Sequence, residues 1–192
     1  MRSLIPTLTK ILEKLAAKNF LFYRIMALYY RNVVKEEVTL ANIQAGDRVL
    51  CIGGGHCPFS GILLHEYTGA HVTILDNDAQ CVRVATELIK DLGYTDFIKV
   101  IHGDGREIAP TDYTVIHVAV QVSPMEKVFC HLRRGCRLGA KILVRLPRRA
   151  LNNLYSLGDR SLFCNCCGKV VHSRRNIEST ALFIKSGVEY GT

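Results

Sequence analysis

The residues of this chain best suited to chemistry stand where apolar segments give way to small or acidic residues. Gly53, Gly54 and Gly55 follow one such segment, Asp76 ends a second, and Asp104 follows a third between two glycines. Consecutive glycines let backbone N–H groups approach a ligand closely, and a helix N-terminus behind them favours negative charge. An acid about 20 residues beyond such a loop can accept hydrogen bonds from ribose hydroxyls. Together these residues predict a nucleoside-binding site.

The elements that must position these residues alternate between strands and helices. Asp78 is suited to cap a helix, because its carboxylate can accept the free N–H groups of the first turn, and Gly93 is suited to end it. Apolar segments typical of strands cover residues 49–52, 71–75, 98–102, 115–120 and 141–146, helical segments cover 79–92, 124–132 and 150–157, and β-like segments recur at 170–172 and 181–185. We therefore expect an α/β fold with a Rossmann-like, doubly wound, mostly parallel seven-stranded sheet and an antiparallel C-terminal hairpin. Ligands of such sheets bind at the carboxyl ends of the strands.

An N-terminal helical extension is predicted to precede this domain. We assign residues 1–44 to the extension and residues 45–192 to the nucleoside-binding domain, with a turn at residues 45–47. Apolar residues recur at helical spacing over residues 4–34. The aromatic cluster there includes Tyr29 and Tyr30, and such clusters are more often packing faces than substrate boxes. A helical arm over a cofactor cleft is nevertheless a common way to shape a substrate pocket.

The composition is that of a globular chain with a basic surface. Hydrophobic residues make up 48% and charged residues 22% of the 192 residues, which suits one domain with a sizeable core. No apolar run reaches the roughly 18 residues of a membrane span, and charges interrupt any signal-peptide core. We therefore expect a cytoplasmic protein without a membrane partner. The net charge of +8 fits an RNA partner and equally a solubilising surface, and a homodimer is compatible with the sequence.

The eight cysteines are interpreted as mostly buried, reduced thiols, because five of them are scattered through the predicted core without a secretory signal. Cys164, Cys166 and Cys167 lie near His172, and thiols with an imidazole are the ligands that zinc takes. A typical structural zinc site has two separated cysteine pairs, and only one group is present here. We therefore expect ordinary or redox-sensitive thiols and no metal.

NAD is the usual ligand of such sheets, but the third glycine of its fingerprint would fall at Pro58. The acid after the third strand and the terminal hairpin resemble instead the class I S-adenosylmethionine-dependent methyltransferases, over residues 45–186. Residues 49–55, 74–78, 102–105 and 114–121 are similar to the first four motifs of that family. The resemblance implies S-adenosylmethionine as cofactor, with Gly53 and Gly55 at its methionine part, Asp76 at the ribose and Asp104 at the adenine. The cofactor-binding set that it implies is Gly53, Gly54, Gly55, His56, Pro58, Asp76, Asn77, Asp104, Gly105, Val120 and Gln121.

The chain departs from that family at two positions in the loop. Cys51 stands where an acid is usual, and Cys57 stands where a glycine is usual. The loop from Gly53 to Leu64 looks more like that of the nicotianamine synthases, a branch of the same fold that also lacks the acid. Residues 118–122, 126–132 and 139–145 are similar to that branch as well, so this second resemblance covers about residues 49–155. The N-terminal helical part is much shorter here than in that branch.

The two resemblances imply different chemistry on one sulfonium. A methyltransferase moves the methyl group and leaves S-adenosylhomocysteine, whereas a nicotianamine-synthase-like enzyme moves the aminocarboxypropyl group to an amine and leaves methylthioadenosine. We expect a transferase, with methyl transfer to a small molecule first and aminocarboxypropyl transfer second. An amine must first lose its proton to a base; the candidates are Tyr29, Tyr30, Glu36, His117 and Gln121. The alternative from another class is a catalytically silent nucleotide-binding module with an RNA partner.

Overall fold

The computed structural model describes residues 20–151, 155, 160–173 and 176–187. Its helices are α1 (Phe20–Ala41), α2 (Phe59–Thr68), α3 (Ala79–Asp91) and α4 (Met125–Gly135). Its strands are β1 (Arg48–Ile52), β2 (His71–Asp76), β3 (Ile98–His102), β4 (Val115–Val118), β5 (Lys141–Pro147), β6 (Gly168–Val171) and β7 (Ile177–Ile184). Short 3₁₀ turns lie at Arg149–Leu151 and Ser161–Phe163.

The strands of the described residues form one sheet in the order β3-β2-β1-β4-β5-β7-β6. β1 to β5 pair in parallel, and β7 runs antiparallel to both β5 and β6. The chain leaves β1 toward β2 and β3 and returns to place β4 on the other side of β1. The carboxyl ends of β1 and β4 therefore form the switch point at which such sheets bind ligands. The predicted fold, including the antiparallel C-terminal strands, is confirmed.

Alternation along the strands divides the core between the two faces of the sheet. Val49 and Cys51 of β1 join the apolar cluster that contains Ile62 of α2. Leu50 and Ile52 join the opposite cluster, which is filled by α4. Because both faces are covered, the central strands β1 and β4 are buried nearly throughout, as expected for a parallel sheet.

Local signals in the sequence place several element ends. The Asp78 carboxylate accepts hydrogen bonds from the backbone N–H groups of Gln80 and Cys81, so it caps α3 as predicted. Gly93 follows that helix with a φ of 75°. Gly69 ends α2 in the left-handed conformation with a φ of 73°, which costs glycine little.

The N-terminal helix runs further than its periodicity predicted. The helical pattern was expected over residues 4–34, whereas α1 continues to Ala41. Val34 and Ala41 lie in the same core cluster as β1, so burial against the sheet extends the helix. Residues 4–19 lie outside the described part of the chain. The predicted helix at 150–157 is represented only by the 3₁₀ turn at its start, since most of its other residues are also outside that part.

Other bounds shift by a few residues. The fourth strand ends at Val118 rather than at residue 120, and β7 begins at Ile177, four residues before its predicted start.

Among the described residues, no helix is both long enough and apolar enough to cross a membrane.

Candidate functional site

The glycine-rich loop is tied to the end of β2 by backbone hydrogen bonds. Gly53 and Gly55 have φ values of 85° and 65°, which glycine adopts without strain. The Gly53 N–H donates to the carbonyl oxygen of Leu75 at 2.9 Å, and the Gly55 N–H donates to Asp76 Oδ2 at 2.7 Å. Asp76 Oδ1 accepts the N–H of Asp78 at 2.9 Å. Asp76 therefore fixes the loop and retains a further lone pair on each oxygen.

Gly54 is required by packing rather than by its own φ. A Cβ added at Gly54 would overlap Cγ2 of Ile74, so the loop lies directly on β2 at this residue. A Cβ added at Gly53 would lie 2.8 Å from Cγ2 of Val122. The loop is thus held between β2 and the segment after β4, with no room for side chains at these two positions.

His56 and Pro58 are both buried, but they face different surroundings. The His56 ring lies beside the start of α3, with Nδ1 3.4 Å from Sγ of Cys81, and it does not line the pocket described below. Pro58 immediately precedes α2 and lines that pocket. Asn77 is exposed, and its carbonyl oxygen lies 3.2 Å from Nε2 of His102.

Asp104 is held by Arg106. The two side chains form an ion pair in which Arg106 Nη2 lies 2.6 Å from Asp104 Oδ2, and Arg106 Nε lies 3.0 Å from Oδ1. Side-chain hydrogen bonds from Arg106 lower the pKa of Asp104 to about 2. The neighbouring Gly105 is buried, and a Cβ there would lie 3.0 Å from Cγ2 of Ile52, so the acid directly precedes a closely packed glycine.

One pocket lies at the switch point between β1 and β4. Predicted residues that line it are Tyr30, Gly53, Gly54, Pro58, His117, Val120 and Gln121. Gln121 Nε2 donates to the carbonyl oxygen of Gly53 at 3.0 Å, which joins the two loops of the pocket. Of the other predicted residues, Gly55, His56, Asp76, Asn77, Asp104 and Gly105 lie on or beside the ends of β1, β2 and β3 without lining this pocket, and Tyr29 and Glu36 do not line it either.

Next to this pocket lies a buried ion pair that the sequence did not single out. Arg145 Nε donates to Glu37 Oε1 and Arg145 Nη2 donates to Glu37 Oε2, each at 2.7 Å. Glu37 is 0% exposed and Arg145 is 2% exposed. The third nitrogen of the guanidinium, Nη1, donates to Oγ of Ser60 at 2.7 Å, and Tyr30 lies over the guanidinium with its ring centroid 5.5 Å from Cζ. Arg145, Ser60 and Tyr30 all line the pocket.

His117 completes this group. Its Nε2 is buried and faces Glu37 Oε2 at 3.4 Å. Burial lowers the pKa of His117, and the positive charge of Arg145 lowers it further, while Glu37 opposes both effects. The imidazole is therefore neutral at neutral pH and available as a proton acceptor.

The surroundings of Glu37 and of the nearby Cys51 set the charge of each side chain. Burial alone would raise the pKa of Glu37, but Arg145 and then His117 hold it well below its usual range. The carboxylate is therefore ionised beside the pocket, behind Arg145 and His117. Burial raises the pKa of the Cys51 thiol to about 12. A neutral thiol therefore stands where the class I methyltransferases usually have an acid.

Glu36 and Tyr29, two of the predicted catalytic candidates, lie outside the pocket. The Glu36 side chain is 47% exposed and pairs with His172, whereas the hydroxyl of Tyr29 donates to Oδ1 of Asn176 at 2.7 Å. The spacing of Glu37 along the helix would have identified it instead. Glu37 falls on the same helical face as Val33, Val34 and Ala41, all of which are buried. An acid on an apolar helix face requires a buried partner.

The cysteines near His172 have surroundings different from those of the histidine. Cys164 and Cys167 are exposed, and none of the cysteines, all of which the structure describes, forms a disulfide. His172 directs its ring nitrogens at Glu36 and Thr180. Within the described ranges, no group of three or more histidine, cysteine or acidic residues is placed to hold a metal ion.

Two curated bacterial proteins named L-histidine 2-aminobutanoyltransferase are similar to this chain. The protein from Pseudomonas aeruginosa is 30% identical over 113 residues, which are 58% of this chain and 43% of the relative. The protein from Yersinia pestis is 25% identical over 142 residues, which are 73% of this chain and 50% of the relative. The chain spans half the length of the curated relatives it matches, or less. No protein-family model matches the chain.

Solved structures extend the similarity over nearly the whole chain. A mutant of the nicotianamine synthase MtNAS in complex with S-adenosylmethionine is 25% identical, with a TM-score of 0.83 over 96% of this chain and 76% of that one. MtNAS in complex with MTA and tNA is 26% identical, with a TM-score of 0.81 over 95% and 74%. An RNA methyltransferase from Salinibacter ruber in complex with S-adenosyl-L-homocysteine is 16% identical, with a TM-score of 0.65 over 82% and 93%, and shows the fold alone. Both resemblances expected from the sequence, to class I methyltransferases and to the nicotianamine synthase branch, are confirmed.

Proposed function

We propose that this chain, which has the class I methyltransferase fold and resembles a nicotianamine synthase, is a transferase that uses S-adenosylmethionine and moves its aminocarboxypropyl group, a 2-aminobutanoate unit, to an amine. The names of the relatives support the group transferred, since the curated ones are called 2-aminobutanoyltransferases. This proposal reverses the order expected from the sequence, which placed methyl transfer first. It rests on one observation in the structure, the buried Glu37, Arg145 and His117 beside the glycine-rich loop.

The residues at the ends of β1, β2 and β3 fit S-adenosylmethionine. Gly53 and Gly54 line the pocket with backbone atoms alone, which suits the methionine part. Asp76 holds the loop and keeps a lone pair on each oxygen for ribose hydroxyls. Asp104 lies beyond the end of β3, where it can turn from Arg106 to an adenine edge. Gly55, His56, Pro58, Asn77, Gly105, Val120 and Gln121 complete the proposed cofactor-binding set.

The bound sulfonium supplies a carbon that is activated for displacement by an amine. An amine is ordinarily protonated at neutral pH and must lose a proton before it can form the new C–N bond. His117 borders the pocket. Because its Nε2 faces the ionised Glu37 at 3.4 Å, the neutral ring carries its hydrogen on Nε2 and keeps the lone pair of Nδ1 for a proton. We assign His117 as the acceptor of the amine proton.

Glu37 makes that proton transfer favourable. His117 Nε2 lies 3.4 Å from Glu37 Oε2, so uptake of the amine proton by Nδ1 makes the ring an imidazolium paired with that carboxylate, in a buried site where such charges attract strongly. Arg145 occupies one lone pair on each Glu37 oxygen and keeps the carboxylate in place. Glu37 is therefore proposed to stabilise the positive charge on His117 and to orient it.

A small-molecule acceptor fits this arrangement better than a large one. Glu37, His117 and Arg145 are at most 2% exposed, so only a slender group, such as an amine on a flexible chain or a small ring, can reach them. The aromatic ring of Tyr30 stacks on that of Phe59 with centroids 5.8 Å apart, and these two rings form an apolar wall of the pocket.

The experiment that tests the proposal identifies the spent nucleoside. The purified protein is incubated with S-adenosylmethionine and a panel of small amines and amino acids, and the products are separated by chromatography with mass detection. Methylthioadenosine that depends on an amine is the expected product. S-adenosylhomocysteine would instead assign methyl transfer, and binding without either product would favour a silent nucleotide-binding module.

A further inference from the structure

A second hydrogen-bonded path leads from Glu37 away from the pocket to the protein surface. Thr180 Oγ1 lies 2.7 Å from Glu37 Oε1, and His172 Nε2 lies 2.8 Å from the same hydroxyl. His172 Nδ1 lies 2.7 Å from Glu36 Oε2. The His172 side chain is 1% exposed and that of Glu36 is 47% exposed. The path therefore joins a solvent-facing carboxylate to the buried one through two residues of the C-terminal β-hairpin region.

The chemistry of the four groups fixes the direction of each hydrogen bond. Glu37 is ionised and can only accept, so the Thr180 hydroxyl must donate to it. With its hydrogen directed at Glu37, Thr180 can only accept from His172, which therefore carries hydrogen on Nε2. Nδ1 then faces a Glu36 oxygen at 2.7 Å, and one hydrogen must lie between them.

With that hydrogen the ring is bonded on both sides, at Nδ1 to Glu36 and at Nε2 to Thr180, which is the hydrogen pattern of an imidazolium. Charge-assisted hydrogen bonds of this kind are shorter and stronger than neutral ones.

We propose that His172 is a positioning residue for Glu37: held by Glu36, it fixes the Thr180 hydroxyl on Glu37 Oε1 and leaves Oε2 directed at His117. The inference rests on the proposed function, because the part that Glu37 plays in transfer is itself a proposal. Oε1 then has two donors, Arg145 Nε and Thr180, and Oε2 has Arg145 Nη2 and the free position toward His117. The carboxylate cannot rotate without losing hydrogen bonds on both oxygens.

The charges that face His172 come from three elements. Glu36 of α1 contacts Nδ1, and Glu37 with Arg145 lies beyond Thr180. On β7 the carbonyl oxygen of Glu178 accepts the His172 backbone N–H at 2.8 Å. The Glu178 carboxylate is itself paired with Arg160 at 3.0 Å. Among the described residues, Glu36 is thus the carboxylate in direct contact with the ring.

The first test observes the proton on His172 and needs no turnover. Protein with ¹⁵N-labelled histidine is compared by NMR with the variant His172→Gln, which assigns the His172 ring resonances. At neutral pH we expect both ring nitrogens of His172 to carry hydrogen. In Glu36→Gln the amide donates to Nδ1, so the ring becomes neutral with hydrogen on Nε2 alone. A wild-type ring without hydrogen on Nε2 would overturn the inference, because Thr180 would then donate to His172 and not to Glu37.

Glu66→Gln is the matched control for that comparison. Glu66 also accepts a single side-chain hydrogen bond, from the Tyr94 hydroxyl at 3.1 Å, and it does not contact the path. The His172 resonances should be the same in this variant as in the wild type.

The second test measures transfer as a function of pH. Thr180→Val leaves Glu37 Oε1 with one donor fewer, and we expect kcat to fall about tenfold, the effect of losing one hydrogen bond to a charged group. Thr180→Ser should restore most of that loss. In Glu36→Gln the positive charge near Glu37 is lost, so His117 becomes more basic and the acidic limb of the kcat/KM profile moves to higher pH. Glu66→Gln should leave the acidic limb of the kcat/KM profile at the same pH as in the wild type.

The two tests separate this inference from the proposed function. Identical pH profiles for the wild type, Glu36→Gln and Thr180→Val would contradict the positioning role. A wild-type protein that transfers no group to any amine would contradict the proposed function alone, and the nitrogen spectra would still decide whether His172 donates toward Glu37.

Discussion

Arg145 of β5 holds Glu37 of α1 through two hydrogen bonds of 2.7 Å, although the two residues lie 108 positions apart in the chain. Both are buried, and their parallel contacts have the bidentate geometry that gives an arginine–carboxylate pair its strength and direction. This contact attaches the N-terminal helix to the sheet at the switch point. It also places a fixed negative charge 3.4 Å from His117, which is the arrangement from which the proposed chemistry follows.

Removing one partner of this pair should be costlier than removing both. Arg145→Met leaves Glu37 buried and unpaired, and we expect the free energy of unfolding to fall by about 3–5 kcal/mol. The double variant Glu37→Leu with Arg145→Met should recover most of this loss, because no buried charge remains. Denaturation in urea, followed by circular dichroism, measures both effects.

Arg106→Met is the matched control, because Arg106 is paired with Asp104 on the surface with its own side chain 47% exposed. Exposed pairs contribute about 0–1 kcal/mol, so this variant should be nearly as stable as the wild type. A double variant of the buried pair that is no more stable than Arg145→Met would contradict the account of the pair.

The pair should also make the fold sensitive to acid. The pKa of Glu37 is held below its usual range in the folded state, so the stability it contributes is present above its ordinary pKa of about 4.3 and is lost as the pH falls below that value. The pKa of His117 is also lowered, so charging this residue adds to the loss once the pH falls below about 6.5. The pKa of Asp104 is lowered as well, so its stabilising contribution is likewise lost as the pH falls.

The acid dependence can be assigned by comparing urea unfolding at several pH values. The wild type should lose stability progressively from about pH 6.5 downward. The double variant Glu37→Leu with Arg145→Met should show a shallower dependence, since only His117, Asp104 and the remaining acids then titrate. If the free energy of unfolding falls equally steeply with pH in the two proteins, the pKa of Glu37 is not lowered in the folded state.

His117 should set the acidic limb of the rate profile. Since only the neutral ring can accept the amine proton and its pKa lies below the ordinary value, kcat/KM for transfer should fall only when the pH drops below about 6.5. His117→Phe keeps an aromatic ring in the buried strand but cannot accept a proton, and should lower kcat by about 10²–10⁴. S-adenosylmethionine binding, measured by calorimetry, should survive in this variant. A variant with wild-type kcat would exclude His117 as the base.

Asp76 should contribute to cofactor affinity through the loop as well as by direct contact. Asp76→Ala removes the acceptor of the Gly55 and Asp78 N–H groups, and we expect the Kd for S-adenosylmethionine to rise at least about tenfold, the effect of losing charge-assisted hydrogen bonds. Asp91→Ala changes an exposed acid at the end of α3 and serves as the control. Equal affinities of the two variants for S-adenosylmethionine would contradict the assignment of the ribose site.

The parts of the site that were predicted from the sequence are those set by local chain geometry. The three glycines, the acid at the end of β2 and the Asp78 cap each follow from a short segment whose residue types suit one backbone conformation. Their positions at one edge of the sheet follow from the alternation of strands and helices. These features required no knowledge of how distant residues pair.

The buried ion pair beside the pocket was not predicted, because Glu37 and Arg145 are far apart in the sequence. Glu36 and Glu37 are adjacent, yet successive helical residues point about 100° apart, so one is exposed and the other is buried against Arg145. Arg145 lies within the apolar strand β5, where a charge requires a buried partner, but its place in the sequence does not identify that partner. The pairing of Glu36 with His172, 136 positions away, likewise follows only from the docking of α1 on the C-terminal hairpin.

The central claim is that the aminocarboxypropyl group, and not the methyl group, leaves S-adenosylmethionine. Its most direct test uses S-adenosylmethionine that carries tritium in the methyl group and carbon-14 in the carboxyl group, with an amine identified as acceptor. The account predicts that the acceptor gains carbon-14 and no tritium, and that the tritium remains in methylthioadenosine. An acceptor that gains tritium without carbon-14 would contradict it.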